Sequence, residues 1–205
     1  MHSILLHLFE QCLNKDYTEG PHGASFAYDR IGDALFLWFE HSNGTRDWMH
    51  NLLFGAVPYR DMDPEWLCHA GFLRVFRDLR PLLQPLYRDP TLRRVCTVGY
   101  SHGAALSLLA HEAIWFERPD LRATLCSYAF GCPRVLCGCP PEAVTSRWEH
   151  FYRVVNGDDL VAHLPPRALG FCHVGTPVPI GTPGKDSPVD AHRPEHYLAA
   201  LQELF

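Results

Sequence analysis

The chain opens with apolar residues at Leu5, Phe9 and Leu13, with Leu6 alongside, in "MHSILLHLFEQCLNKD". That spacing predicts a helix, within an N-terminal helical segment taken as 1–23. Residues 24–29, "ASFAYD", and 34–40, "ALFLWFE", read as two strands joined across "RIGD". Segment 45–54, "TRDWMHNLLF", has the pattern of a short amphipathic helix. A longer helix is predicted to start near Ala70 in "CHAGFLRVFRDLRPLL" and to stop by Pro81 and Pro85. A strand follows at 94–99, then a helix from about His102 to Phe116 that "ERPD" ends. Further strands are predicted at 123–130 and 151–155, and the proline- and glycine-rich run 175–188 as loop. A last helix, "PEHYLAALQELF", opens on Pro194 and Glu195, both favoured in a first turn. Strands alternating with helices predict an α/β sandwich around a mainly parallel sheet, whose ligands sit at the carboxyl ends of the strands.

Composition narrows the class. A chain of 205 residues with 47% hydrophobic and 20% charged residues suits one globular domain, 1–205. The formal charge of −5, with no concentrated basic patch, excludes a nucleic-acid partner. No apolar run reaches the ~18 residues of a membrane-spanning helix. His7 and Glu10 interrupt the opening apolar stretch, so it lacks the pattern of a secretory signal. The default expectation is therefore a cytoplasmic address, with secretion left open. Eight cysteines invite a metal or disulfide reading, but "CPRVLCGCPP" (Cys132, Cys137, Cys139) contains no paired Cys-x-x-Cys knuckle. The thiols are expected to be reduced, mostly buried, and to hold no metal.

The chemistry begins at "RVCTVGYSHGAALSLLA", residues 94–110. Gly99-Tyr100-Ser101-His102-Gly103 matches G-x-S-x-G between a predicted strand and a predicted helix. A tight strand-to-helix turn brings neighbouring backbone close, so small flanking residues are needed. Ser101 would then point its hydroxyl into the open at the positive end of a helix, where a nucleophile can be activated. The plainer alternative is a serine that caps the helix.

A serine nucleophile needs a base, and the base an orienting acid; in enzymes whose nucleophile sits on such a strand-to-helix turn they follow in the order serine, acid, histidine. "FYRVVNGDDLVAHLPP" offers Asp158 and Asp159 after an apolar strand and an Asn156-Gly157 turn. The later histidines are His163, His173, His192 and His196. His173 has a strand-like setting, His163 lies close after the acid, and His196 falls inside the last helix. His192 occupies the loop before that helix, the better place for a ring that must meet both partners.

Together these blocks resemble the class 3, fungal-type lipases of the α/β-hydrolase superfamily, from about residue 24 to 205. "TVGYSHGAALSLLA" resembles that family's G-H-S-L-G-G-A turn, and "YAFGCPRV" its T-F-G-x-P-R-V. "RVVNGDDLVAHLPP" resembles R-V-V-N-x-x-D-x-V-P-x-L-P-P, a register that places the acid at Asp159. "DAHRPEHYLAAL" resembles D-H-x-x-x-x-Y-x-x-x-L, which selects His192 with Tyr197 as the aromatic, and "CHAGFL" resembles V-H-x-G-F-L. "WFEHSNGTRDW" resembles F-R-G-T-x-S-x-x-D-W, so Ser42 falls on an oxyanion-binding residue, with the His102 amide as the other donor. Turn preference beside Asn43-Gly44 gives Ser42 a second reading as an ordinary turn residue. Glu40, His41, Tyr100, His102 and Ala162 depart from the pattern, and none of these changes removes a triad side chain.

The resemblance implies an α/β-hydrolase fold: a mainly parallel central sheet with helices on both faces. It implies a serine ester hydrolase, a lipase acting on acylglycerols or related lipid esters through Ser101, His192 and Asp159. It implies no cofactor, and a candidate lid at 45–54 carrying Trp48, Leu52, Leu53 and Phe54 that would meet a lipid surface transiently. A thioesterase, phospholipase or amidase could use the same residues. An inactive hydrolase-like binding scaffold is the alternative from another class.

Overall fold

The computed structural model describes residues 2–41, 55–60, 66–138 and 146–204. Its centre is a seven-stranded sheet in the order β1-β2-β3-β6-β7-β9-β11. In the chain these are β1 (Thr18–Glu19), β2 (Ser25–Ile31), β3 (Ala34–Phe39), β6 (Arg94–Tyr100), β7 (Leu125–Phe130), β9 (Phe151–Asn156) and β11 (Thr176–Ile180). The five strands from β3 to β11 run parallel, and β2 and β1 add antiparallel at one edge. A small antiparallel sheet, β10-β8-β5-β4, joins β4 (Ala56–Pro58), β5 (Leu67–His69), β8 (Leu136–Cys137) and β10 (Phe171–Cys172).

Helices cover both faces because successive side chains of a strand point to opposite sides. On β6, Val95 joins the core under α2 (Ala70–Tyr87) and α3 (His102–Glu117). Cys96, Val98 and Tyr100 join the core under α1 (His2–Asn14) and α4 (Pro194–Gln202). Helix α3 is mostly apolar, and Gly103 to Ile114 are buried without a break, the polar Ser107, His111 and Glu112 among them. It lies in the middle of the fold, as a helix without an exposed polar face must.

Three expected boundaries move. The N-terminal helix ends at Asn14, and β1 and a 3-10 turn at Pro21–Gly23 occupy the remainder of 1–23. Helix α2 runs through Pro81 and Pro85 to Tyr87. Both prolines lie on its exposed side, while Phe72, Leu73, Phe76, Leu79, Leu83 and Tyr87 form the buried stripe. Glu117 at the end of α3 also binds Arg80, Gln84, Tyr87 and Arg88. Burial and this anchor outweigh the donors that the prolines lack.

The third change is in the run 175–188, which contributes β11 at its start. Gly157 N–H donates to Ile180 O, so Thr176, Val178 and Ile180 turn their backbone groups toward β9. Pro177 and Pro179 fall on the alternate positions, where the missing N–H would face away from the sheet. Proline is tolerated on such an edge. The segment 45–54, read as a helix and lid, lies wholly outside the described residues, as do its four named residues.

Candidate active site

Ser101 stands between β6 and α3 with φ 56° and ψ −119°, in the left-handed half of backbone space that L-residues avoid. Its backbone N–H donates to Phe130 O at 2.9 Å, and its carbonyl accepts from Ala104 N at 3.1 Å. The flanking glycines are a steric requirement. A Cβ on Gly99 would lie 2.2 Å from Gly103 O, and one on Gly103 2.2 Å from Phe39 O. Helix α3 therefore starts in contact with the ends of two strands. His102 opens that helix, so its N–H has no acceptor within the helix.

Two loops at the same sheet edge bring the partners. Asp159 follows β9 by the Asn156-Gly157 turn, and His192 ends a 3-10 turn, Asp190–His192, just before α4. Leu160 N–H donates to Pro188 O at 2.9 Å, which ties the two loops together. His192 Nε2 lies 2.8 Å from Ser101 Oγ, and His192 Nδ1 lies 2.8 Å from Asp159 Oδ2. Ser101 and Asp159 are fully buried and His192 is 5% exposed. The hydroxyl expected in the open is therefore covered, with the His192 ring bonded to it. A substrate must displace cover to reach it.

Asp159 is held at both oxygens. Oδ1 accepts from Val161 N at 2.8 Å, and Oδ2 also accepts from the Tyr197 hydroxyl at 2.6 Å. Tyr197 in turn accepts from Asn156 N at 3.2 Å. Burial, with Asp159 close by, pushes the Tyr197 phenol far up, so it stays a donor. Asn156 Nδ2 donates to Ala191 O at 2.9 Å, which supports the residue before the histidine. The row can pass the Ser101 proton to His192 while Asp159 fixes which ring nitrogen carries the other proton.

The remaining sequence candidates go elsewhere. Asp158 accepts from Gly184 N at 2.7 Å, which ties it to the loop after β11. His163 Nδ1 donates to Asp159 O at 2.8 Å, His173 Nε2 donates to Ala162 O at 2.7 Å, and His196 pairs with Asp186 at 3.0 Å. Ser42 lies outside the described residues, as do Trp48, Leu52, Leu53 and Phe54. Among the described residues, no group of three or more His, Cys, Asp or Glu side chains could hold a metal ion. Seven described cysteines are free, and Cys12, Cys68, Cys96 and Cys132 are buried.

Two contributors lay hidden in the sequence. Gly131, with φ 56°, follows β7, and a Cβ there would lie 2.8 Å from His192 Cε1 and 3.0 Å from Asp159 Oδ2. The signal available was a glycine directly after the strand in "YAFG". Asn156 gave only its turn preference.

The sequence pattern of the class 3 lipases matches residues 36–169. The chain belongs to the class 3 lipase family. It is 34% identical over 149 residues to a lipase of Rhizopus niveus, which covers 69% of this chain and 37% of that protein. A secreted mono- and diacylglycerol lipase of Fusarium solani is 29% identical over 156 residues, covering 74% and 45%. The chain thus spans less than half the length of these curated relatives. The solved triacylglyceride lipase of Rhizomucor miehei superposes with a TM-score of 0.68 at 25% identity, covering 80% of this chain and 65% of that one. The fold is that of the α/β-hydrolases. The cytoplasmic address expected from the interrupted opening stretch finds no support in a relative described as secreted. Among the described residues, no helix is long and apolar enough to cross a membrane.

Proposed function

We propose that this class 3 lipase chain hydrolyses carboxylic esters of acylglycerols or related lipids. The observation that carries the reading is the buried row Ser101–His192–Asp159, 2.8 Å at each step, with Ser101 held at positive φ where α3 begins. His192 Nε2 takes the Ser101 proton as Oγ attacks the ester carbonyl carbon. Asp159 keeps the Nδ1 proton in place and stabilises the imidazolium. The His102 N–H, at the positive end of α3, donates to the developing oxyanion. As the tetrahedral adduct collapses, His192 returns the proton to the departing alkoxide. Water, deprotonated by the same ring, then releases the carboxylate and restores Ser101. No metal or organic cofactor takes part.

The names of the relatives favour lipid esters over other acyl compounds. Because Ser101 is wholly covered, substrate access needs a movement that uncovers it, and contact with a lipid surface is a natural trigger. The test uses purified chain with p-nitrophenyl esters of short and long acyl groups and with a fluorophosphonate probe. Wild type should turn over ester and label at Ser101. Ser101→Ala should lose at least about 10⁴-fold in kcat, with its melting transition intact. Labelling at another residue, or full activity in Ser101→Ala, would refute the reading.

A further inference from the structure

Tyr100 is one residue before Ser101, and strand alternation sends its side chain to the α1/α4 side of the sheet. There it meets His192 in two ways. Its hydroxyl donates to the His192 backbone carbonyl, and its ring stacks on the imidazole at 5.1 Å between centroids and 27° between planes. The tyrosine is fully buried, and burial with Asp159 nearby raises its phenol pKa, so it remains a donor. Phe9 packs edge-on at 5.3 Å, Tyr197 at 5.6 Å, and His41 at 5.5 Å, so the ring is braced on several sides.

We propose that Tyr100 is a positioning residue for His192, which clamps both the backbone and the ring of the histidine so that Nε2 stays aimed at Ser101. The proposal rests on the hydrolase reading above. The 3-10 turn that carries His192 is short, and Asp159 reaches only Nδ1. The bond at Nε2 goes to Ser101, the group that reacts, so once Ser101 turns to substrate the Nδ1 bond alone leaves the ring free to swing about that contact. A stacked face and a hold on the carbonyl remove that freedom. The family pattern has histidine at the Tyr100 position and glycine at the His41 position, so both departures meet in this clamp. An imidazole is shorter than a phenol and would not span the same distance to the His192 carbonyl.

Tyr100→Phe removes only the hydroxyl, and Tyr100→Leu removes the stacking face as well. For Tyr100→Phe, kcat should fall about tenfold with KM unchanged, the loss of one buried hydrogen bond from the reacting geometry. Fluorophosphonate labelling of Ser101 should slow in parallel, while the melting temperature moves little. Tyr100→Leu should lose about a further tenfold. The downfield proton resonance of His192 Nδ1–H, sharp in wild type, should broaden in Tyr100→Phe as the ring gains motion. Wild-type turnover and labelling in Tyr100→Phe would overturn the proposal, as would a defect confined to KM. A kcat loss with the downfield resonance still sharp would also overturn it. The resonance is read in the free protein, so a wild type inactive on esters would sink the hydrolase reading without touching this measurement.

Discussion

At the residue scale the site depends on absent atoms as much as on present ones. Gly131 has no polar group, yet its missing Cβ is the space in which His192 and Asp159 meet. Gly131→Ala should act through two routes. The residue holds φ 56°, which disfavours any Cβ by about 1–2 kcal/mol. The new methyl would also sit 3.0 Å from both His192 Nδ1 and Asp159 Oδ2, on either side of their hydrogen bond. Displacing a reacting group by even part of an ångström is severe, so kcat should drop about 100-fold while the protein still folds. Steady-state kinetics beside a thermal melt checks this. Activity within threefold of wild type would show that the pair tolerates the methyl. Ser101 was legible from its motif, whereas residue type and chain order left Asp158 beside Asp159, and the family resemblance was needed to choose the acid and to select His192. Gly131 was not legible as a site residue, since a glycine announces conformational freedom but not which neighbour needs the room.

At the element scale, legibility followed hydrophobic pattern and failed where tertiary contact overrode local preference. Strands β6, β7 and β9 are central and apolar, and they were visible as such. Strand β11 was missed because Pro177 and Pro179 look like loop residues until one knows that the strand lies at an edge. Helix α2 outran its prolines because the core that covers its stripe and the Glu117 anchor come from elsewhere in the chain. His69, read only as part of a family block, caps α2 by accepting from Phe72 N at 3.4 Å. The contact of α3 with β3 leaves no room for even a small change. Gly103→Ala would set a methyl 2.2 Å from Phe39 O and 2.7 Å from Glu40 O, and backbone cannot swing aside as a side chain can. The helix must retreat from the sheet. Stability should fall by about 3 kcal/mol, measured as a lower denaturant midpoint at unchanged slope. The same retreat moves the His102 N–H, so residual activity should fall further than the folded fraction does.

At the scale of the whole molecule, the core carries several histidines that burial keeps neutral. His111 is the clearest: it is fully buried, and burial lowers its pKa from 6.5 to about 4. Its Nε2–H donates to Arg147 O at 2.9 Å, and Nδ1 accepts from the Ser127 hydroxyl at 2.7 Å. Burial likewise brings His69 and His102 to about 4, and His173 to about 3. Each of these pKa values is lower in the folded chain than in the unfolded one. Between the two values the unfolded chain binds more protons, so acid favours unfolding there. Stability should be fully present above about pH 6.5 and decline as pH falls toward 4. His111 alone contributes about 1.4 kcal/mol for each pH unit in that window. Carboxylates act in the same direction but lower down. Hydrogen bonds from Thr91 and Arg30 hold Asp89 at about 2, so its contribution is lost only as pH falls below its ordinary 3.8. The interval from pH 6.5 to 5 therefore isolates the histidines. Urea unfolding across that interval should show a falling midpoint, and His111→Gln, which can keep a donor toward Arg147, should make the fall shallower. A midpoint independent of pH there would mean that folded and unfolded chains take up protons alike, contrary to the burial that lowers these pKa values.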